Sequence, residues 1–344
     1  MCDDMQHATL IGLSSVQHFL VDGLCICCMF LLADIFGESF GSFGDRVSMG
    51  AVLTYNVLAF MSQPLTGMMV DRMKGRHWLL IVSSLVLTLA VACASLIPTL
   101  MRESPNLMWD GLGEWLMLLV AVLLGAGNSL FHVWGGKQTV VKTDNDIRAL
   151  GVFVSTGALG LAVGFVCRSW ILLDALLLAI VGTSIIYLRR DVHMREDGYL
   201  PSPSTLLPPR FMTRAWVWTI VVLLMLFVCC RSFVSEFFSG GITKTQELVL
   251  LIAVVSMLGK MAGGWIARWV GIRRSLVLIL AGVALCLIFG DDFELVLLAG
   301  VFLMNCTMPI TLYLANVLLP RREGLAFGLL AAALIPGYLM AVYW

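Results

Sequence analysis

The stretch GMMVDRMKGRH at residues 67–77 contains the charged junction, residues 71–77, between two apolar runs at residues 47–70 and 78–101, neither of which contains a charged side chain. A helix needs about 20 apolar residues to cross a bilayer, so each run is long enough to span. The charged stretch between them is then a short polar loop that joins two antiparallel helices. This helical hairpin predicts an all-α membrane protein.

The composition extends this prediction from the hairpin to the whole chain. Of the 344 residues, 60% are apolar and 13% are charged, against about 45–50% and about 25% in soluble domains. The mean hydropathy of +0.94 argues against a water-soluble fold. The net charge is zero, so we predict no nucleic acid partner. Most cysteines lie within apolar runs, where a thiol packs as a small hydrophobe.

Eleven apolar runs are long enough to be transmembrane helices and leave no room for a soluble domain. They cover residues 8–33, 47–70, 78–101, 115–134, 149–167, 171–188, 215–238, 248–267, 275–290, 295–320 and 324–344. The fold class we predict is therefore an all-α polytopic membrane protein with eleven transmembrane helices.

Loop charges orient these helices. Most Lys and Arg residues, including Lys137 and Lys142, fall in loops on the same side as the N-terminus. Because positive loops stay inside, we predict a protein of the cytoplasmic (inner) membrane with a cytoplasmic N-terminus. The charged, proline-rich segment 189–214 is typical of a linker. It would join a six-helix bundle, residues 1–188, to a five-helix bundle, residues 215–344.

A degenerate second copy of the opening stretch, GWIARWVGIRR, occupies residues 264–274. Repeated halves joined by a basic linker are typical of secondary transporters. The first copy resembles the loop signature of the major facilitator superfamily. This resemblance implies a two-bundle fold and a cytoplasmic gate motif formed by Gly67, Asp71, Arg72, Gly75 and Arg76. It also implies a twelfth helix, which this sequence lacks. The chain is then either a true eleven-span variant or a truncated copy.

Two further segments, GNSLFHVWGG at residues 127–136 and STGALGLAVG at residues 155–164, are similar to the fosmidomycin-resistance group of drug exporters. That group carries a Phe-His-Pro-Glu-Gly segment, in which Val133 and Trp134 replace the Pro-Glu pair here. The second segment has an antiporter-type glycine spacing, and small residues allow close helix packing in membranes. The packing glycines are Gly157, Gly160 and Gly164.

Ionisable residues within the spans are the candidates for the transport pathway. A carboxylate in mid-membrane costs about 2.5–3.5 kcal/mol, so Asp22 needs a partner or a watery cavity. His18 lies one helical turn earlier and could exchange a proton with Asp22 or merely hydrogen-bond. Arg231 could hold an anionic substrate or form an ion pair with Asp22 or Glu236. The predicted substrate and proton pathway comprises His18, Asp22, Gln63, Asn128, His132, Arg231 and Asn305.

Two expectations concern the remaining charges near or within the spans. Lys260, in span eight, is long enough to extend its ammonium toward the cytoplasmic side. Arg168 and Asp174 flank the tight turn between spans five and six. We expect these two side chains to neutralise one another.

These observations predict a secondary transporter that exports a drug-like or anionic small molecule in exchange for protons. A proton-coupled importer and a uniporter are alternatives. A membrane enzyme or channel is disfavoured because the histidines form no HExxH spacing and no selectivity-filter stretch is present. We predict no enzymatic activity, no metal site and no cofactor. The expected partners are a small-molecule substrate, protons and the bilayer, around a monomer.

Overall fold

The computed structural model describes residues 2–73, 77–104, 106, 111–191, 213–242, 245–289 and 293–343. The gate-motif residues Gly75 and Arg76, and most of the predicted linker, lie outside the described residues. The helices are α1 (Cys2–Phe40), α2 (Ser42–Asn56), α3 (Gln63–Arg72), α4 (His77–Glu103), α5 (Gly113–Lys142), α6 (Ile147–Val166), α7 (Trp170–Asp191), α8 (Arg214–Gly240), α9 (Gln246–Val270), α10 (Ile272–Phe289), α11 (Glu294–Leu318), α12 (Glu323–Ala332) and α13 (Leu334–Tyr343).

Ten of the described helical segments are long and apolar enough to cross a membrane. Span two is not among them because it is interrupted between α2 and α3 by a π-helical turn, Val57–Met61. Pro64 accounts for the break, since proline lacks an N–H and its ring clashes with the carbonyl four residues earlier. With this interrupted segment the described chain has the eleven predicted spans, and the all-α membrane fold is confirmed.

Successive spans run antiparallel, with α2 and α3 sharing one span and α12 and α13 another, so the span ends gather at two opposite faces of the molecule. We call the face where α7 ends and α8 begins the linker end, and the opposite face the distal end. In the N-terminal half α1 packs against α6 and α7, and α4 packs against α5. In the C-terminal half α11 packs against α8, α9 and α10, and α13 packs against α8.

The two halves of the chain meet through α3 with α12 and through α6 with α9. Glycines allow both contacts. Gly67 of α3 lies so close to the backbone of Gly324 in α12 that a Cβ on either residue would overlap the neighbouring helix. Gly264 of α9 lies equally close to the backbone of Ile147, where α6 begins. These close approaches are at the linker end, so that end of the molecule is closed.

Two sequence predictions about charges are wrong. Lys137 was assigned to a loop, but α5 continues to Lys142 and the Lys137 side chain is buried within it. Arg168 does not pair with Asp174, which is exposed on α7. Instead Arg168 donates to both carboxylate oxygens of Asp34 at the distal end of α1, with Nε–Oδ2 and Nη2–Oδ1 distances of 2.6 and 3.2 Å. This hydrogen bonding raises the pKa of Arg168.

Candidate functional site

Four buried polar side chains meet between α1 and α5, and we call them the His–Asp cluster: His18, Asp22, Asn128 and His132. Each helix contributes two residues spaced by four, which places both on one helical face. Asp22 Oδ1 accepts from Asn128 Nδ2 at 3.0 Å and lies 2.8 Å from His132 Nε2. Asp22 Oδ2 lies 3.3 Å from His18 Nε2. Each carboxylate oxygen therefore faces one imidazole nitrogen.

The second nitrogen of His18 determines what its first nitrogen can do. His18 Nδ1 lies 2.7 Å from the carbonyl oxygen of Phe153 in α6, so Nδ1 must carry a proton and donate it. A neutral imidazole then has only a lone pair on Nε2, and this lone pair faces the carboxylate oxygen of Asp22. Two lone pairs in contact repel, so a positive charge, either a proton or a cation, stabilises the His18–Asp22 contact. Sequence reasoning missed the carbonyl of Phe153, because only tertiary packing places it there.

Gly157 of α6 fixes the position of this pair. A Cβ at Gly157 would lie 2.6 Å from His18 Nε2 and would overlap Asp22 Oδ2. Gly160 and Gly164 pack in the same way against the backbone of α1, at Phe19 and Gly23. The three glycines predicted to pack helices therefore line the contact between α1 and α6, and one of them borders the His–Asp cluster directly.

Gly157→Ala should destabilise the protein by about 1–3 kcal/mol, because a methyl group cannot enter this contact without displacing Asp22 and His18. We expect a lower melting temperature and reduced transport. Gly182→Ala, on α7, is the matched control because a Cβ there meets nothing within 4 Å. If both variants melt alike, the close contact at Gly157 does not stabilise the fold.

The spacing of the cluster suits a metal ion as well as a proton, since ligand atoms of His18, Asp22 and His132 lie within 4.8 Å of one another. The hydrogen bonds favour the proton. Because an ionised carboxylate can only accept, the 2.8 Å contact with Asp22 Oδ1 requires a proton on His132 Nε2, which would have to leave before that nitrogen could ligate a metal. A proton placed on His18 Nε2 completes the pairing without moving any heavy atom.

Arg231 of α8 is buried, with 5% of the residue exposed. It forms no hydrogen bond or ion pair with any residue in the described ranges, and its Nε is buried without an acceptor. Of the two alternatives left open by the sequence, the structure therefore lacks the ion pair with Asp22 or Glu236. Lys260 of α9 is half-buried and within electrostatic range of both Arg231 and Asp22.

The other two predicted pathway residues lie outside the His–Asp cluster. Gln63 is fully buried beside the π-helical turn and donates from Nε2 to the carbonyl of Ala59 at 2.7 Å. Asn305 of α11 donates to the carbonyl of Val301 at 2.8 Å and lies 3.4 Å from Ser256 Oγ on α9. Both amide nitrogens are occupied mainly by local hydrogen bonds, whereas Gln63 Oε1 is buried without a partner among the described residues.

The Asp71 carboxylate, from the gate motif, lies at the linker end where α3 meets α12. It accepts from the backbone N–H groups of Gly324 and Leu325, at 3.0 and 2.9 Å, where the α12 helix dipole favours an anion. Lys137 Nζ lies 2.8 Å from Asp71 Oδ1. Arg72 is exposed. Lys137 was not among the predicted site residues, although an apolar helical pattern that continues past His132 could have indicated its burial.

Comparisons with known proteins agree with this architecture. The chain matches the Major Facilitator Superfamily over residues 17–341. No curated protein matches it. Its fold is similar to that of the E. coli fucose:proton symporter, at 13% identity and a TM-score of 0.61, covering 96% of this chain and 89% of that one. A bacterial homologue of the iron transporter ferroportin in an outward-facing state gives 12% identity and a TM-score of 0.65, covering 97% and 91%.

A third solved structure, the human organic anion transporter TETRAN, is similar at 14% identity and a TM-score of 0.59, covering 98% of this chain and 94% of that one. At such identities the likeness concerns the fold alone. Together with the family match, this fold is that of a secondary transporter embedded in the lipid bilayer. The match over most of the chain shows that the protein belongs to the major facilitator superfamily.

Proposed function

We propose that the protein exports a drug-like or anionic small molecule in exchange for protons, by alternating access across the inner membrane. In this proposal residues 1–188 and 215–344 form two bundles that rock about a central site, joined by the cytoplasmic segment 189–214. The N-terminus is cytoplasmic, as the loop charges favour. The chain works as a monomer without an enzymatic step.

The His–Asp cluster carries the proposal. His18 Nε2 faces a carboxylate oxygen while its Nδ1 is committed to a backbone carbonyl. One proton fits between the two groups, and its loss leaves a repulsive contact. A membrane-embedded group that is stabilised by one proton and strained without it is suited to couple proton movement to a conformational change.

Other observations support alternating access and its direction. The closed linker end fits a carrier whose substrate site is reached from the distal side, and the Asp71 contacts are placed to hold that end shut. Export rather than import rests on the similarity of residues 127–136 and 155–164 to the fosmidomycin-resistance group. Among proteins of the same fold, one is a proton symporter and another an organic anion transporter by their own descriptions.

The experiment is transport into everted membrane vesicles, in which an exporter accumulates its substrate in the lumen. A panel of small organic anions and antibiotics is offered with and without an imposed proton gradient. We expect at least one compound to accumulate only when the lumen is acidic, and no accumulation in vesicles that lack the protein. Each pH unit can support about a tenfold concentration ratio per exchanged proton.

Two outcomes would contradict the proposal. Equilibration that is independent of the gradient indicates a uniporter. Accumulation that requires added Zn²⁺ or Fe²⁺, and persists without a proton gradient, indicates a metal-dependent carrier that uses His18, Asp22 and His132 as ligands.

A further inference from the structure

A buried positive charge on α8 is not balanced by the described residues. Arg231 is buried and has no partner among them, and Lys260 lies within electrostatic range of it. Asp22, the acid that also interacts with Lys260, is already engaged by His18, His132 and Asn128. A buried cation without a counter-ion is strongly unfavourable, so an anion at this position would stabilise the fold.

The surroundings of Arg231 restrict what kind of anion fits. A small chamber beside its side chain is lined almost entirely by apolar side chains, with one hydroxyl from Thr311. The Thr311 hydroxyl donates to the carbonyl of Met308 at 2.9 Å, and its oxygen remains able to accept a further hydrogen bond. The other lining residues are Met308, Leu312, Phe327, Leu330, Ala331 and Leu334. The chamber therefore offers one strong site for a negative charge and a wall for apolar groups.

We propose that this Arg231 chamber binds an organic anion that has a single anionic head, such as a carboxylate or phosphonate, on an apolar body. The planar guanidinium holds the head through two parallel hydrogen bonds. The apolar body packs against Phe327 and its neighbours on α11 and α12. This inference rests on the proposed transport function, because it names the substrate class of that carrier.

The chamber is also connected to the His–Asp cluster through aromatic side chains. Phe327 of α12 lies 6.1 Å, ring centroid to centroid, from Phe153. The Phe153 ring is 4.8 Å from that of His18, and its carbonyl is the acceptor for His18 Nδ1. An anion that displaces Phe327 therefore presses on the residue that orients His18, so substrate binding and protonation share one packed path.

In the conformation described here the chamber measures about 20 Å³. That volume holds a water molecule but not an organic anion. Binding therefore requires α8 to separate from α11 and α12, which is the kind of movement that alternating access supplies.

The test uses calorimetric titration of the purified, detergent-solubilised full chain with three probes. These are 4-phenylbutyrate, its neutral isostere 4-phenylbutanamide, and acetate, which has the head without the body. We expect phenylbutyrate to bind at least tenfold more tightly than either of the others. Arg231→Gln should remove the preference for the anion over the amide, and Arg231→Lys should retain part of it, because the charge remains while the fork is lost.

Arg274→Gln is the matched control because Arg274 is exposed on α10. It should bind all three probes as the wild type does. Since Arg231 has no partner to lose among the described residues, Arg231→Gln should melt no lower than the wild type, whereas a purely structural arginine would lower the melting temperature. Equal binding of anion and amide, a preference that survives Arg231→Gln, or no binding of phenylbutyrate would each overturn the inference. Preferential binding without proton-driven transport would overturn the proposed function and leave this inference standing.

Discussion

Asp22→Asn should abolish proton-driven accumulation while it leaves substrate exchange across the membrane intact. The amide has the shape of the carboxylate and can still accept hydrogen bonds from Asn128 and His132. Its nitrogen can also donate to His18 Nε2, which removes the need for a proton between the two groups. The variant therefore keeps the packing of the His–Asp cluster and loses only its ability to change charge.

The measurement compares gradient-driven accumulation with counterflow in the same proteoliposomes. For a one-to-one exchange, accumulation should fall from about tenfold per pH unit to about equal substrate concentrations on the two sides of the membrane. Counterflow should be unchanged. Asp34→Asn is the matched control. It makes the same change on the same helix, but in an exposed ion pair with Arg168, and exposed pairs contribute only about 0–1 kcal/mol.

Accumulation at the wild-type level in Asp22→Asn would eliminate Asp22 as the coupling site. A uniporter, or coupling through another group, would then be the better account. Loss of both accumulation and counterflow would instead indicate that Asp22 is needed to hold the site together. The melting temperature of the variant distinguishes that outcome from simple unfolding.

The membrane fold was predictable because it depends on properties that a sequence states directly. Hydrophobic length gave the spans, and helical periodicity put His18 and Asp22 on one face. Glycine spacing likewise indicated the packed face at Gly157. Each of these inferences uses residues close together in the chain.

What could not be predicted depends on how helices rotate against one another. Nothing in the sequence specifies that His132 of α5 faces Asp22, since that requires the depth and rotation of two helices far apart in the chain. The expected Arg168–Asp174 pair failed for the same reason. Proximity across a turn suggested it, but helix packing points Asp174 outward and brings Asp34 to Arg168. Partners across helices follow from packing, which a single sequence leaves undetermined.

The contact of Asp71 with the start of α12 depends partly on features visible in the sequence and partly on how the helices pack. The sequence shows a carboxylate at the end of span two and free N–H groups at the start of span eleven, and helix packing brings the two together. Lys137 was the unforeseen third partner. The burial of Lys137 raises the free-energy cost of losing the Asp71 carboxylate. Without its only carboxylate partner among the described residues, this lysine is left buried and charged.

Asp71→Asn should therefore open the linker end without unfolding the protein. Removing one member of a buried ion pair costs about 3–5 kcal/mol, and the remaining amide oxygen recovers part of this. A net loss of about 3 kcal/mol shifts the balance between closed and open forms by roughly a hundredfold. Amide hydrogen exchange reports this opening directly, because the N–H groups of Gly324 and Leu325 donate to Asp71. We expect peptides that begin α12 to exchange at least tenfold faster and transport to fall.

Asp45→Asn is the control at the other end of the same membrane segment, where the side chain is exposed. It should alter neither exchange nor transport. Lys137→Met, alone and combined with Asp71→Asn, completes a double-mutant cycle. If Lys137 is the reason for the cost, the double variant should exchange more slowly than Asp71→Asn alone, since no buried charge is left unpaired. If Asp71→Asn leaves hydrogen exchange and transport unchanged, the Asp71 contacts do not hold the linker end closed. The motif would then serve only as a topological anchor.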